Sequence, residues 1–64
     1  LELLAQLEDK YELARTHYQL ALTREIQGER AEALRLCNTS LTAFEELNAR
    51  HDLTLANALR DRLL

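Results

Sequence analysis

The amino-acid sequence predicts an all-α protein built as an antiparallel array of helical hairpins. Of the 64 residues, sixteen are Leu and nine are Ala, whereas Gly occurs once and Pro and Val are absent. Leu, Ala, Glu, Arg and Gln lose little rotamer freedom in a helix, and no run of β-branched residues competes with helix formation. Apolar residues also recur at spacings of three and four, which lines one face of a helix. These observations exclude a fold that contains a sheet.

The first helix is predicted over residues 10–27. Its apolar face consists of Tyr11, Ala14, Tyr18, Ala21, Leu22 and Ile26, and Leu4 and Leu7 extend the pattern upstream. Asp9 followed three residues later by Glu12 fits a capping box, so a helix can begin at Lys10. Neither Gly nor Pro interrupts residues 8–10, however. Local sequence therefore leaves open whether residues 1–27 form one helix or two.

Two further helices follow, over residues 29–47 and 51–64. Gly28 marks the turn between the first two, because it adopts the left-handed conformation without steric penalty. The apolar stripe of the second helix is wide, which predicts burial on two sides; it comprises Ala33, Leu34, Leu36, Cys37, Leu41, Phe44 and Leu47. A second turn is predicted at residues 48–50, before the apolar rhythm resumes with Leu53, Leu55, Ala56, Leu59, Leu63 and Leu64.

Self-comparison predicts a repeat, because the chain resembles itself at an offset of forty residues. The offset superimposes large apolar residues at Leu4/Phe44, Leu7/Leu47 and Leu13/Leu53, and like charges at Lys10/Arg50 and Glu12/Asp52. It predicts a turn near Asp9: residues 1–8 then end a preceding unit, 10–47 form one complete hairpin, and 51–64 open the next. The alternative is a self-contained three-helix bundle or a coiled-coil hairpin, since residues 4–21 also fit a heptad pattern.

The complete hairpin resembles a tetratricopeptide repeat (TPR), whose pattern is W-x2-L-G-x2-Y, then A-x3-F, then P. Leu20-Ala21 matches Leu-Gly with a small residue retained, and Gly28 falls in the inter-helix turn. In the second helix, Ala33 occupies the position of the small Ala, and Cys37 occupies the aromatic position with a smaller apolar group. The sequence departs from the pattern in three places: His17 replaces the first aromatic residue, Arg24 replaces Tyr, and Glu45 replaces Pro. The missing Pro lets the second helix run on, which lengthens the period beyond the usual ~34 residues.

Such long units are similar to the TPR-like repeats of large bacterial signalling proteins, such as LuxR-type transcription activators, multidomain ATPases and nucleotide cyclases. The resemblance implies a TPR-like α-solenoid fragment that scaffolds domains or binds a protein or peptide partner. The first helices of such arrays line a concave groove. Mapped onto this chain, the partner-binding positions are Arg15, Tyr18, Gln19, Leu22 and Glu25.

Neighbouring repeats of a parent chain, or self-association through the open ends of the array, are the other expected contacts. Solenoid units bury their cores only against neighbours. The chain has no Met, which indicates a segment of a longer protein. For Tyr18 and Leu22, packing against adjacent helices is an equal alternative to partner binding.

Chemistry within the chain is not expected, so the sequence predicts no enzyme, no cofactor and no metal ion. His17, Cys37 and His51 are too far apart in sequence for paired zinc ligands, and Cys37 is expected to face inward as a small apolar filler. One glycine cannot build a phosphate-binding loop. The net charge of -3, with both signs interspersed, argues against nucleic-acid binding. A single cysteine and the absence of a long apolar segment predict a cytoplasmic protein that does not enter membranes.

Overall fold

A computed structural model of the chain describes the backbone of residues 2–64 and the side chains of residues 8–64. Three helices follow one another: α1 (Glu2–Ile26), α2 (Arg30–Leu47) and α3 (Arg50–Leu63). Helix α2 runs antiparallel to α1 and packs against both α1 and α3, whereas α1 and α3 touch only along one edge. The all-α hairpin arrangement is thus confirmed, as is the burial of the second helix on two sides.

Helix α1 continues without interruption through the region where the forty-residue offset predicts a turn. Residues 8–10 are helical, so residues 2–8 belong to α1 and do not form the end of a separate helix. The reason is local, because no Gly or Pro breaks the backbone hydrogen-bond ladder there. The Lys10 ammonium lies 2.7 Å from the Glu46 carboxylate, near the end of α2. The first two turns of α1 therefore extend beyond the hairpin.

Both turns between helices are Schellman motifs with a left-handed residue after the helix. Gly28 has φ +80° and Asn48 has φ +57°. In the first turn, the Gly28 and Glu29 amides donate to the carbonyls of Glu25 and Arg24, at 3.0 and 2.8 Å. The amides of Asn48 and Ala49 make the equivalent bonds to Glu45 and Phe44. Both predicted turns are confirmed, and the helices that follow them begin at Arg30 and Arg50 instead of residues 29 and 51.

Small residues line the core between the helices and allow them to approach closely. Ala14, Ala21, Ala33 and Ser40 are each at most 1% exposed, whereas Phe44 and Leu59 are the largest of the fully buried side chains among the described residues. The Ser40 hydroxyl donates to the Cys37 carbonyl at 2.7 Å, so this buried hydroxyl is satisfied.

Cys37 is fully buried and faces inward, as expected from its place in the apolar stripe. Its thiol donates to the carbonyl of Ala56 in α3 at 3.2 Å. Burial raises the pKa of the Cys37 thiol, which keeps the group protonated and unreactive at neutral pH. The thiol therefore acts as packing between α2 and α3.

Candidate functional site

Two of the five predicted partner-binding residues lie on an exposed face of α1. Arg15 and Gln19 border a shallow depression, which is completed by Glu12, Thr16, Leu20 and Thr23 of the same helix. The Arg15 guanidinium carbon lies 5.9 Å from the centre of the Tyr11 ring, a cation–π distance that orients the side chain. Arg15 and Gln19 thus present a guanidinium and an amide to solvent, where a partner can reach them.

Tyr18 and Leu22 occupy a different position, because both pack against the hydrophobic core. Each is half-buried. Packing against the core therefore explains their apolar character. The structure brings these two residues next to Arg15 and Gln19 on one helix but turns them inward.

Glu25, the fifth predicted residue, is engaged within the chain. Arg62 of α3 donates two hydrogen bonds to the Glu25 carboxylate, from Nε at 2.7 Å and from Nη2 at 2.6 Å. This paired geometry lowers the pKa of Glu25 and raises that of Arg62. The pair fastens the end of α1 to the end of α3.

A second link joins α1 to α3 near the opposite end of α3. The Tyr11 hydroxyl donates to the Asp52 carboxylate at 2.7 Å, and this hydrogen bond raises the pKa of Tyr11. The Tyr11 ring meets Phe44 edge-on, with the ring centres 6.2 Å apart. Sequence reasoning missed both links to α3. They join residues about forty positions apart, and no local pattern encodes such a contact.

The two links to α3 leave the opposite flank of α1 uncovered by the described residues. Leu13 and Leu20 are 58% and 40% exposed there. Each precedes a buried alanine by one residue, which rotates it by about 100° from the line facing α2. Tyr11 and Glu25 are rotated the other way, towards α3. A helical wheel drawn for α1 would have found this second apolar line, which we call the Leu13–Leu20 stripe.

Metal-binding and membrane-spanning features are not found in the part of the chain that the structure describes. Over residues 8–64, no three His, Cys, Asp or Glu side chains are grouped as ligands for a metal ion. His17 is half-buried on α1, whereas His51 is exposed on α3. None of the described helices combines the length and apolarity needed to cross a membrane.

Comparisons with protein-family models, with curated proteins and with solved structures found no match to this chain.

Proposed function

We propose that the chain is a non-catalytic protein–protein interaction and scaffolding module, a TPR-like hairpin array of a larger cytoplasmic regulatory or signalling protein. The observation that carries this proposal is the uncovered flank of α1. A helix whose neighbours occupy two sides, and which shows two exposed leucines on a third, has surface left for another protein element.

The arrangement of the three helices supports an array. Helices α1 and α3 lie side by side in the same direction, with α2 packed behind them, so a following helix would repeat the relation between α1 and α2. Repeat proteins use this geometry to bury a continuous core and to present first helices on one surface. Arg15 and Gln19 are exposed on α1, and arginine is a common anchor of protein interfaces.

A photo-crosslinking amino acid at Gln19 tests the proposal in cells that naturally contain the protein. Thr39 is the matched control position, because it is also exposed but lies on α2. We expect the probe at Gln19 to capture one defined protein species, and Arg15→Ala to abolish that product. The probe at Thr39 should not capture it. Absence of a product at Gln19, or equal capture at both positions, contradicts the proposal.

The uninterrupted α1 favours a second candidate, a self-contained helical bundle or coiled-coil oligomerisation domain. A helix of 25 residues is longer than the 18-residue α2 that covers it. Long helices with an exposed apolar line commonly pair with other helices. A crosslinked product at Gln19 with twice the mass of the chain would support this candidate instead of the first.

A further inference from the structure

The Leu13–Leu20 stripe has charged ends of opposite sign. Asp9 lies four residues before Leu13 and Arg24 lies four residues after Leu20, so each is within about 40° of the leucine beside it. Leu13 and Leu20 are themselves one heptad apart, the spacing of equivalent positions in a coiled coil. Along the helix axis, the exposed flank of α1 therefore presents an acidic residue, two leucines and a basic residue, in the order Asp9, Leu13, Leu20 and Arg24.

This order is complementary to itself when reversed. In an antiparallel pair of α1 helices, Leu13 of one copy faces Leu20 of the other, and Asp9 faces Arg24. The Leu13–Leu20 and Asp9–Arg24 pairings are both centred between Thr16 and His17. A single two-fold axis at that point therefore produces both pairings. A parallel pair would instead place Asp9 against Asp9 and Arg24 against Arg24, which is unfavourable for both charges.

The two charged ends differ in exposure: Arg24 is half-buried and lies near Glu32 of α2, where its charge contributes to the lowered pKa of Glu32. Asp9 is exposed, and within residues 8–64 it makes no ion pair, whereas its neighbour Lys10 is bound to Glu46. The Arg24 guanidinium donates to the Oε1 atom of exposed Gln27 at 2.7 Å. A carboxylate is a stronger acceptor than an amide, so Asp9 of a second copy can replace Gln27 as the partner of Arg24.

We infer that a second copy of this chain packs antiparallel on the Leu13–Leu20 stripe and forms a closed, two-fold symmetric dimer. This inference names the partner in the second candidate function above, an oligomerisation domain, and rests on that candidate. Two leucines per copy form a small apolar centre, so the dimer is weak and concentration-dependent. An isologous contact of this kind closes after two copies and does not propagate into fibres.

Sedimentation equilibrium over a range of concentrations tests the dimer. We expect the wild-type chain to shift from monomer to dimer as its concentration rises, and Leu20→Glu to weaken the association by about tenfold or more. The matched control is Leu55→Glu on α3, because Leu55 is 41% exposed, as Leu20 is 40%. Circular dichroism should show unchanged helix content for both variants. A wild-type monomer at every concentration, or equal loss of dimer in both variants, overturns the inference.

Charge reversal tests the pairing of the ends. Asp9→Arg and Arg24→Asp should each weaken the dimer, because each leaves like charges opposed, and the double variant should restore it. A purely structural effect of either residue on the monomer would not be rescued in this way. Failure of the double variant to recover association overturns the predicted register.

Cysteine crosslinking tests the direction of the helices in a Cys37→Ala background. We expect Leu13→Cys chains mixed with Leu20→Cys chains to form a mixed disulfide faster than either variant alone. Faster pairing of Leu13→Cys with itself would indicate a parallel arrangement and overturn the antiparallel dimer. These tests have a readout separate from the crosslinking at Gln19: a wild-type monomer overturns the dimer, whereas capture of a different protein at Gln19 still supports the interaction module.

Discussion

Gly28 and Asn48 set the two reversals of the chain through their left-handed backbones. At φ +80°, no atom beyond those of Gly28 and its two chain neighbours lies within 4 Å of the position that a Cβ would occupy. Space is therefore not what requires glycine here; the backbone conformation is. Asn48 meets the same requirement at φ +57° because asparagine tolerates the left-handed region better than most residues.

Gly28→Ala should lower the free energy of unfolding by about 1–2 kcal/mol, the cost of a Cβ in a left-handed conformation. Gly28→Asn should cost less, since the structure already holds Asn48 in this conformation. Urea unfolding followed by circular dichroism measures both. An alanine variant as stable as the wild type would mean that the turn adopts another conformation in solution.

Helix α1 has a buried face and an exposed apolar face, set by its two alanines and by the leucines that precede them. Ala14 and Ala21 meet α2, and the residues just before them, Leu13 and Leu20, are turned to solvent. The continuity of α1 follows from composition, because residues 8–10 are Glu, Asp and Lys. A capping-box pattern at Asp9 does not make a helix begin there when the residues before it also favour helix formation.

Amide hydrogen exchange distinguishes a continuous α1 from a helix that begins at Lys10. In a continuous helix the amides of residues 10–12 are bonded to carbonyls upstream, so we expect them to be protected. The amides of residues 30–32 provide the internal control, because they form the first turn of α2, which has no side-chain cap, and should exchange quickly. Equally fast exchange in both segments would contradict a continuous α1 and support a turn near Asp9.

At the scale of the whole molecule, side-chain bonds hold α3 against α1. Glu25 with Arg62, and Tyr11 with Asp52, connect the two helices at separate points. Helix α2 packs against both α1 and α3 and contributes buried residues to the core that they share. A chain of this size buries only about 60% of its unfolded surface, so these links add to a modest core.

Acid should destabilise the molecule through the link between Glu25 and Arg62. Arg62 lowers the pKa of Glu25 below its ordinary 4.5 in the folded state. The charged form therefore favours folding, and this contribution is present above pH 4.5 and lost as the pH falls further.

Glu25→Gln should remove part of the loss of stability on acidification, measured as the midpoint of thermal unfolding across this pH range. Glu45→Gln is the control, because Glu45 is exposed and makes no ion pair in the described part of the chain. An identical pH profile for the wild type and Glu25→Gln would show that the link does not persist in solution.

Local chemistry alone determined the all-α class, the turns at Gly28 and Asn48 and the inward position of Cys37. Each depends on short-range properties: helix propensity, left-handed tolerance and the period of apolar residues. Tertiary structure decided the rest. It bound Glu25 to Arg62, turned Tyr18 and Leu22 inward and left Leu13 and Leu20 exposed. These outcomes depend on which flank of α1 receives α3, and that choice is made by contacts between residues about forty positions apart.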